Sequence, residues 1–436
     1  MNEQLLTGTL KINENNHLEI GGMDTAALAA KYGTPLYVYD VAQIRSKCRQ
    51  FKAAFEKNDF SYQVAYASKA FSVLAIYQLI QEEGCSVDVV SGGELYTALK
   101  AGFPAEKIHF HGNNKTVAEL TLALENKVGC IIVDNFYEID LLNALTKERN
   151  QRVAVQLRTA PGINAHTHEY ITTGQRDSKF GFDLENGQID QAIQKVLENP
   201  LFDLIGVHCH IGSQIFETEA FTHTVDKMIG LLASWRDKYG YTAKVLNLGG
   251  GFGIRYTEAD EPKEISDIID AVCQEVVQKT GEYDYPVPEI WIEPGRSIVG
   301  DAGITLYETG SEKDIPGIRN YLAVDGGMSD NIRPALYDAA YTAVIANRAT
   351  EPAEETYSIA GKCCESGDML IWDIPLPKVN QKDILAVFST GAYGYSMANN
   401  YNRIPRPAVV FVEDGEDALV VKRETYEDLI HLDQLI

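Results

Sequence analysis

The sequence lacks several features that mark other classes of protein. It contains no apolar run near the roughly 20 residues that cross a membrane, and no two of its seven cysteines form a C-x-x-C pair. An odd number of irregularly spaced cysteines argues against a disulfide framework or a zinc ribbon. Basic residues are scarce, since 38 Lys and Arg stand against 62 Asp and Glu. Without a local basic patch, so acidic a chain is not expected to bind nucleic acid.

The N-terminal residues give no targeting signal. Residues 1–19 lack a basic start followed by an apolar core, which is the pattern of a secretory signal. Together with 45% hydrophobic and 23% charged residues, this predicts a soluble, cytoplasmic protein with reduced thiols and no membrane partner. At 436 residues the chain exceeds one ordinary domain, so two domains are expected.

Eight short apolar runs alternate with stretches of helical periodicity in the first two thirds of the chain. Such alternation is the pattern of consecutive β-α-β units. The predicted strands cover residues 63–67, 87–90, 108–111, 131–134, 153–158, 205–211, 245–248 and 289–292. The predicted helices include residues 72–83, 117–127, 188–198, 218–239 and 264–281.

Eight parallel units predict an α/β fold with a closed (β/α)8 TIM-type barrel, assigned here to residues 45–300. An open doubly wound sheet is the alternative, but the even spacing and the Gly-containing turn after the eighth strand favour a barrel. Residues 1–44 and 301–436 are assigned to a mainly β domain of sandwich or barrel-like form. Its strand-like runs, which have no long helices between them, are residues 34–39, 321–324, 386–389 and 408–412.

Polar residues lie at the predicted strand ends, where such a barrel carries its catalytic groups. Lys69 ends the first strand, Asp88 lies on the second, His111 ends the third and Arg158 the fifth. A lysine at the mouth of a barrel is placed to form an imine with a phosphorylated aldehyde. Taken alone, Lys69 would instead be a solvated surface residue, as most lysines are.

The sixth strand carries two histidines on one face. In G-V-H-C-H-I-G-S (residues 206–213) a period of two places His208 and His210 together and Cys209 on the other face. A metal site is the more specific interpretation of these two histidines. No carboxylate lies nearby in sequence, however, so histidines packed in a core or against a cofactor are favoured over metal ligands.

The last two strands run into motifs suited to an anion. The seventh leads into N-L-G-G-G-F-G (residues 247–253) and the eighth into E-P-G-R (residues 293–296). Glycines let backbone N–H groups approach a phosphate, and barrels commonly bind phosphate after strands seven and eight. A carboxylate such as Glu293 could keep a cofactor ring nitrogen protonated. The alternatives are a tight turn for the glycines and a local ion pair for Glu293 and Arg296.

These motifs resemble the fold-type III pyridoxal-phosphate decarboxylases over most of the chain. The barrel motifs are Y-A-S-K-A (66–70), V-D-V-V-S-G-G-E (87–94), G-V-H-C-H-I-G-S-Q (206–214), G-G-G-F-G (249–253) and E-P-G-R. Three more follow at N-I-R-P-A-L-Y (331–337), C-E-S-G-D (364–368) and G-A-Y-G (391–394). R-P-A-L-Y and C-E-S-G-D resemble the branch that acts on diaminopimelate. His166 and His168 also lie in a stretch similar to a family loop.

The resemblance implies a role for each motif residue. Lys69, Cys364 and Glu293 would be catalytic, with Lys69 bound to the cofactor as an internal aldimine. The residues implied to bind pyridoxal 5'-phosphate are Lys69, Asp88, His210, Ser213, Gly250, Gly251, Glu293, Gly295, Arg296 and Tyr393. The residues implied to bind substrate are Arg296, Arg333, Tyr337, Glu365 and Tyr393. No metal is expected.

The family further implies the reaction and the assembly. The expected activity is decarboxylation of meso-2,6-diaminopimelate to L-lysine and CO2, the last step of lysine biosynthesis. Cys364 and Glu365 would reach the active site of the other subunit, so a homodimer would be the catalytic unit. Rival interpretations are a decarboxylase for ornithine, D-lysine or carboxynorspermidine, a racemase, a cofactor-independent aldolase and a non-catalytic homologue.

Overall fold

The computed structural model describes residues 5–163 and 178–436. His166 and His168 lie outside the described residues. The chain divides into two compact units. The first, called here the β unit, comprises Met1–Ser46, Ile254–Glu261 and Arg296–Ile436. The second, called the barrel unit, comprises Lys47–Gly253 and Pro262–Gly295.

The strands and helices are numbered along the chain. The strands are β1 Lys11–Ile12, β2 Leu18–Ile20, β3 Met23–Asp24, β4 Leu36–Asp40, β5 Tyr62–Ala67, β6 Ser86–Val89, β7 Ile108–Phe110, β8 Cys130–Val133, β9 Val153–Ala160, β10 Phe182–Asp183, β11 Phe202–Cys209, β12 Val245–Asn247, β13 Glu289–Ile292, β14 Gly303–Ile315, β15 Arg319–Val324, β16 Ala343–Ile345, β17 Glu355–Ala360, β18 Met369–Leu376, β19 Ile384–Val387, β20 Ala408–Glu413 and β21 Glu416–Val421. The α-helices are α1 Thr25–Tyr32, α2 Val41–Lys57, α3 Leu74–Glu82, α4 Gly92–Lys100, α5 Val117–Glu125, α6 Phe136–Arg149, α7 Gln188–Leu197, α8 Thr218–Tyr239, α9 Ile265–Glu282, α10 Arg296–Val299, α11 Arg333–Tyr337 and α12 Tyr426–Ile430.

Eight parallel strands of the barrel unit form a closed ring. Their order is β9, β11, β12, β13, β5, β6, β7 and β8, and β8 pairs back with β9. That last pairing excludes an open sheet and confirms the predicted TIM-type barrel. The short strand β10, which was not predicted, pairs with β9 outside the ring.

The barrel elements follow from the apolar pattern of the sequence. All residues of β6 and β8 are buried, as expected for parallel strands that are covered on both faces. Helix α7 buries Ile189, Ala192, Ile193 and Val196, the spacing of one helical face. Among the described residues, no helix combines the length and apolar character required to span a membrane.

Strand β11 bends where it approaches β12. A Cβ atom on Gly206 would lie 2.0 Å from the backbone oxygen of Val245, so no larger residue fits there. The pairing of β11 with β9 shifts register between Leu204 and Gly206. The strand then continues through His208, whose side chain is buried.

The β unit is built mainly from strands, as predicted. One sheet has the order β18, β17, β15, β14, β4, β20 and β21; in addition, β19 pairs with β14, and β16 pairs with β19. Strands β1 to β3 form a separate three-stranded sheet. Each predicted run of this unit contains a strand. The run at 386–389 ends early, at Val387, and Ser389 adopts a left-handed φ of 56°.

A buried ion pair supports the barrel unit. Lys115 Nζ donates to Glu138 Oε1 at 2.7 Å, to the Ile132 oxygen at 2.8 Å and to the Gly112 oxygen at 2.9 Å. Burial holds the pKa of Glu138 above its usual range, although the Lys115 charge opposes the shift. Because all three ammonium donors are used, this lysine fixes the chain between β7 and α6.

Replacing Lys115 with Met is predicted to destabilise the barrel unit. The substitution leaves the Glu138 carboxyl group buried without its cation, which typically costs about 3–5 kcal/mol. Urea unfolding monitored by circular dichroism would show the loss as a lower midpoint. The control is Lys195→Met, because Lys195 forms an exposed ion pair with Asp140. Equal midpoints for both variants would contradict the prediction.

Candidate active site

Lys69 follows strand β5 in a single-turn helix, Ser68–Ala70. Both flanking residues are buried, whereas the Lys69 side chain is exposed. The Tyr66 hydroxyl donates to the Phe71 oxygen at 2.9 Å and closes this turn. The backbone is therefore held by the barrel while the amine at its C-terminal rim stays accessible.

Asp88 lies on the neighbouring strand β6 and is buried. Its Oδ1 atom has no hydrogen-bond partner among the described residues. Burial and the charge of Glu293 raise the pKa of Asp88 well above its usual range, and the charge of Lys69 opposes the shift. A buried carboxyl oxygen without a partner is costly, which is typical of a group that awaits a ligand.

Glu293, directly after β13, is the centre of a buried polar cluster. Its Oε1 accepts a hydrogen bond from Asn247 Nδ2 at 2.7 Å and lies 2.9 Å from His111 Nε2. Its Oε2 lies 2.9 Å from His208 Nε2. Burial acts to raise the pKa of Glu293, but His111 and His208 outweigh it and hold this pKa well below its usual range. The carboxylate is therefore ionised.

The histidines around Glu293 are neutral at pH 7. Burial lowers the pKa of His208, and it lowers that of His111 to about 3. The neutral His208 ring can therefore donate its Nε2–H to the carboxylate, whereas His111 Nε2, although 2.9 Å away, lacks the geometry of a hydrogen bond. His111, His208 and Glu293 offer ligand atoms within 4.8 Å of one another, so the cluster is also a geometric candidate for a metal ion. Hydrogen bonds from Asn247 and His208 to Glu293 hold two of the three contacts of this carboxylate in place.

His210 contacts the glycine-rich turn after β12. The Gly250 N–H lies 3.2 Å from His210 Nδ1. Burial and the charge of Lys69 lower the pKa of His210 well below its usual range, so the ring is a neutral acceptor. His208 therefore contacts Glu293, and His210 contacts the glycine-rich turn. Cys209 Sγ lies near the Asn247 oxygen.

The glycine-rich turn packs too closely for side chains. A Cβ atom on Gly250 would lie 2.2 Å from the Glu293 oxygen, and one on Gly251 would lie 2.7 Å from the Gly212 oxygen. Gly251 also has a φ of 112°, which favours glycine. Ser213 immediately follows Gly212, and a Cβ on Gly295 would lie 2.9 Å from Ala67 Cβ. The glycine turn therefore packs directly against the backbone at the neighbouring strand ends.

Arg158 near the end of β9 completes the charged groups of this rim. Its Nε lies 3.9 Å from Asp134 Oδ1, and its guanidinium carbon lies 4.3 Å from the centre of the Phe180 ring. Burial lowers the pKa of Arg158.

The β unit brings two arginines into one aromatic cluster. Arg333 Nε donates to the Tyr341 hydroxyl at 2.9 Å, and Arg296 Nη1 donates to the Tyr256 hydroxyl. The ring of Tyr393 lies 5.0 Å from the Arg296 guanidinium and 5.6 Å from that of Arg333. Tyr337 lies 5.6 Å from Arg333 as well. Arg296, Arg333, Tyr337 and Tyr393, which the sequence motifs single out, therefore lie together.

Arg333 is a buried cation without an acidic neighbour. Only 8% of the residue is exposed, and no carboxylate of the described chain lies within ion-pair distance of it. The Tyr341 oxygen and the faces of the tyrosine rings are its partners. Since a buried charge is normally paired, this guanidinium is suited to bind an anionic group.

Cys364 and Glu365 lie in an exposed loop of the β unit. The Cys364 N–H donates to Asn402 Oδ1 at 2.7 Å. The preceding Cys363 is buried, as expected for a small apolar residue. The thiol and carboxylate that the motif singles out are thus presented on the surface of the single chain.

Three residues of these clusters were not predicted as site residues from the sequence. Asn247 is the last residue of β12 and lies two positions before the first glycine of the turn, so its place at a strand end was an available signal. Tyr256 and Tyr341 belong to no local motif, and their ring centres lie 5.4 Å apart at 90°. Only the folded chain shows that both hydroxyls meet arginines.

Comparison with known proteins agrees with this geometry. Residues 41–300 match the family described as "Pyridoxal-dependent decarboxylase, pyridoxal binding domain". Diaminopimelate decarboxylase of Bacillus subtilis (strain 168) is 64% identical over 428 residues, which is 98% of each chain. The enzyme of the same name from Staphylococcus aureus (strain COL) is 49% identical over 427 residues, 97% of this chain and 99% of its own.

Solved structures give the same result. The crystal structure of diaminopimelate decarboxylase from M. jannaschii in co-complex with L-lysine superposes with a TM-score of 0.92 at 37% identity, over 98% of each chain. The fold and the sequence therefore point to one group of proteins. This chain belongs to the family of pyridoxal-dependent decarboxylases and, within it, to the diaminopimelate decarboxylases.

Proposed function

We propose that this chain decarboxylates meso-2,6-diaminopimelate to L-lysine and CO2 with pyridoxal 5'-phosphate, the last step of lysine biosynthesis. The observation that carries the substrate assignment is Arg333, a buried cation whose described neighbours are tyrosines and not acids. Diaminopimelate has a second carboxylate far from its reacting end. Ornithine and D-lysine have only an amine there, so they offer no carboxylate for this cation to bind.

The rim of the barrel unit fits the cofactor. Glu293 is ionised and can pair with a protonated ring nitrogen. The turn at Gly250 and Gly251 has no room for side chains, and it follows the seventh strand, where barrels of this type commonly bind a phosphate. When bound, pyridoxal phosphate supplies a ring that accepts the electron pair of the broken bond. Asp88 Oδ1, buried without a described partner, is a further polar contact available to it.

The residues that would hold the cofactor come from several of the sequence motifs. Lys69 would bind its aldehyde carbon through the accessible amine, and His210 would pack against its ring. Ser213, Gly250, Gly251, Gly295, Arg296 and Tyr393 would surround the phosphate or its neighbourhood. Asp88 and Glu293 would complete the set.

The substrate would be held at its far end by arginines. A planar guanidinium can bind a carboxylate with two parallel hydrogen bonds, and the described neighbours of Arg333 leave it without a competing acid. Arg296, Tyr337, Glu365 and Tyr393 would complete this binding set. Fixing the far carboxylate orients the bond to be broken at the other end.

Cys364 would return a proton to the α-carbon after CO2 has left, with Lys69 as the other candidate donor. Cys364 and Glu365 are exposed in the single chain, which suits delivery to a second subunit. We therefore propose a homodimer in which residues 1–44 and 301–436, the mainly β domain, contribute substrate and interface residues. A cytoplasmic location is part of the proposal, and the seven free thiols support it.

Lys69→Ala is predicted to abolish catalysis. The variant removes the amine that would bind the cofactor, so CO2 release from meso-diaminopimelate should fall at least about 10³-fold, and the visible absorption band of the purified protein should change. CO2 release from meso-diaminopimelate, ornithine and D-lysine is measured in parallel. The surface variant Lys195→Ala serves as control. If CO2 were released only from ornithine or D-lysine, the assignment of diaminopimelate as the substrate would be wrong.

Arg333→Ala is predicted to act selectively on the diacid. Loss of hydrogen bonds to a charged group typically costs about 1.5–3 kcal/mol, so kcat/KM for meso-diaminopimelate should fall by about one to two orders of magnitude. Any slow activity on D-lysine should change little, because D-lysine has no far carboxylate.

The matched control for this variant is Arg319→Ala in the same unit. Arg319 packs on the Trp372 ring at 4.8 Å and pairs with Asp373 at the surface. A similar loss of kcat/KM in both variants would indicate a general effect on the fold and contradict the assignment of Arg333.

Mixing two inactive variants tests the shared active site. Lys69→Ala and Cys364→Ala chains are unfolded together, refolded and assayed. In a mixed dimer one site combines Lys69 of one chain with Cys364 of the other. Random pairing makes half of the dimers mixed, each with one of two sites intact, so about a quarter of wild-type activity should return. No gain over the separate variants would reject sharing.

A further inference from the structure

We propose that Asp368 is a positioning residue that ties together two loops serving different active sites. The arginine loop, residues 326–333, leads to Arg333. The cysteine loop, residues 361–368, carries Cys364 and Glu365 and ends at Asp368. This inference rests on the proposed function, in which Arg333 acts in its own subunit and Cys364 in the other. Asp368 itself would touch neither substrate nor cofactor.

The Asp368 carboxylate joins the two loops through one hydrogen bond to each. Its Oδ1 accepts from the Met328 N–H at 2.6 Å, and its Oδ2 accepts from the Cys363 N–H at 2.7 Å. Met328 belongs to the arginine loop, and Cys363 directly precedes Cys364. Hydrogen bonds from backbone N–H groups to an ionised acceptor are among the strong ones in proteins. One buried carboxylate thus holds a backbone atom of each loop.

The surroundings are shaped for this carboxylate. Asp368 is 3% exposed. A Cβ atom on Gly327 would lie 2.4 Å from Asp368 Oδ2, and one on Gly361 would lie 2.2 Å from it. Glycine at these two positions lets both backbones close on the oxygen atoms. Side chains there would force the two loops apart.

Backbone bonds extend the link toward both functional residues. The Lys362 N–H donates to the Gly326 oxygen at 2.8 Å, so the loops also pair directly. On the arginine side, Gly327 N–H is held by Asp330 Oδ1 at 3.0 Å, and Asn331 N–H by the Gly327 oxygen at 2.9 Å. Arg333 follows two residues later. A shift at Met328 would therefore move the start of helix α11.

The cysteine side is anchored in the same way. Asp368 N–H donates to the Glu365 oxygen at 3.1 Å and closes the loop on itself. Cys364 N–H is bound by Asn402, while Asn399 N–H from the same segment donates to the Ser329 oxygen at 2.8 Å. Because Ser329 lies in the arginine loop, this segment is a third link between the loops, besides the Asp368 carboxylate and the Lys362–Gly326 bond. The Asp368 carboxylate differs from the other two links in that one side-chain group accepts a backbone N–H from each loop.

The test uses Asp368→Asn, which keeps the volume of the side chain. An amide places an NH2 group against one of the two N–H donors, so one link is lost while the site remains filled. We expect faster hydrogen exchange at the amides of residues 326–330 and 361–365, and a cofactor absorption band like that of the wild type. In the homodimer, KM for meso-diaminopimelate should rise and kcat should fall.

Mixed dimers separate the two effects. The reference pair is Lys69→Ala with Cys364→Ala, whose one complete site takes Lys69 and Arg333 from the second chain and Cys364 from the first. Adding Asp368→Asn to the Lys69→Ala chain disturbs only the cysteine loop of that site. Here kcat should fall by about 10- to 100-fold, the effect of a small misplacement of a catalytic group, with KM unchanged.

Adding Asp368→Asn to the Cys364→Ala chain instead disturbs only the arginine loop of that site. KM should then rise about tenfold or more, with kcat near the reference. The matched control is Asp383→Asn, since Asp383 is also a buried acid of the β unit that accepts a backbone bond, from Asn380 N–H at 2.8 Å. The control should leave KM and kcat of both mixed pairs unchanged.

Several outcomes would overturn the proposal. Mixed pairs that match the reference in KM and kcat would reject it, and so would an equal pattern from Asp383→Asn. If the reference pair regains no activity, the active site is not shared between subunits. Asp368 would then not link loops that serve two different active sites. In that case unchanged KM and kcat in the Asp368→Asn homodimer would also reject a positioning role within one site.

Discussion

The charge of Glu293 inside the barrel is the constraint on which the proposed chemistry depends. A carboxylate with 6% exposure would ordinarily take up a proton. Asn247 and His208, at the ends of two adjacent strands, donate to it, and His111 lies equally close. Because burial keeps both histidines neutral, His208 can stabilise the charge as a hydrogen-bond donor. The acid therefore remains an anion that can hold a ring nitrogen protonated.

The closed barrel makes this arrangement possible. In a ring of parallel strands all C-terminal ends meet at one rim, so residues separated by long stretches of sequence converge. His111 lies 182 positions before Glu293 in the sequence, yet its Nε2 atom is 2.9 Å from Glu293 Oε1. The rigid strands place Lys69, Asp88 and the glycine turn at the same rim. The accessible amine of Lys69 and the tightly packed glycine turn thus depend on the same closed topology as the buried anion.

The sequence predicted those parts of the molecule whose signal is local. The eight barrel strands, the glycine turn and Lys69 could be located because apolar runs, glycines and strand ends are visible in short windows. The cluster around Glu293 could not, since it depends on strands meeting across the ring. The same holds for Tyr256 and Tyr341, whose hydroxyls bind arginines in the fold without any motif nearby. The left-handed Ser389, just past the early end of β19, is likewise set by its tertiary environment.

In the proposed function, the tyrosines around Arg333 would leave this cation available for the far carboxylate of a diacid. An aspartate or glutamate beside Arg333 would pair with it and compete with the carboxylate of the substrate. A phenol oxygen and aromatic faces stabilise the guanidinium more weakly, and they carry no negative charge. In the proposed function, substrate binding would then replace no strong ion pair. A substrate whose far end carries an amine but no carboxylate would bring a second cation to this cluster, and the resulting repulsion would discriminate against it.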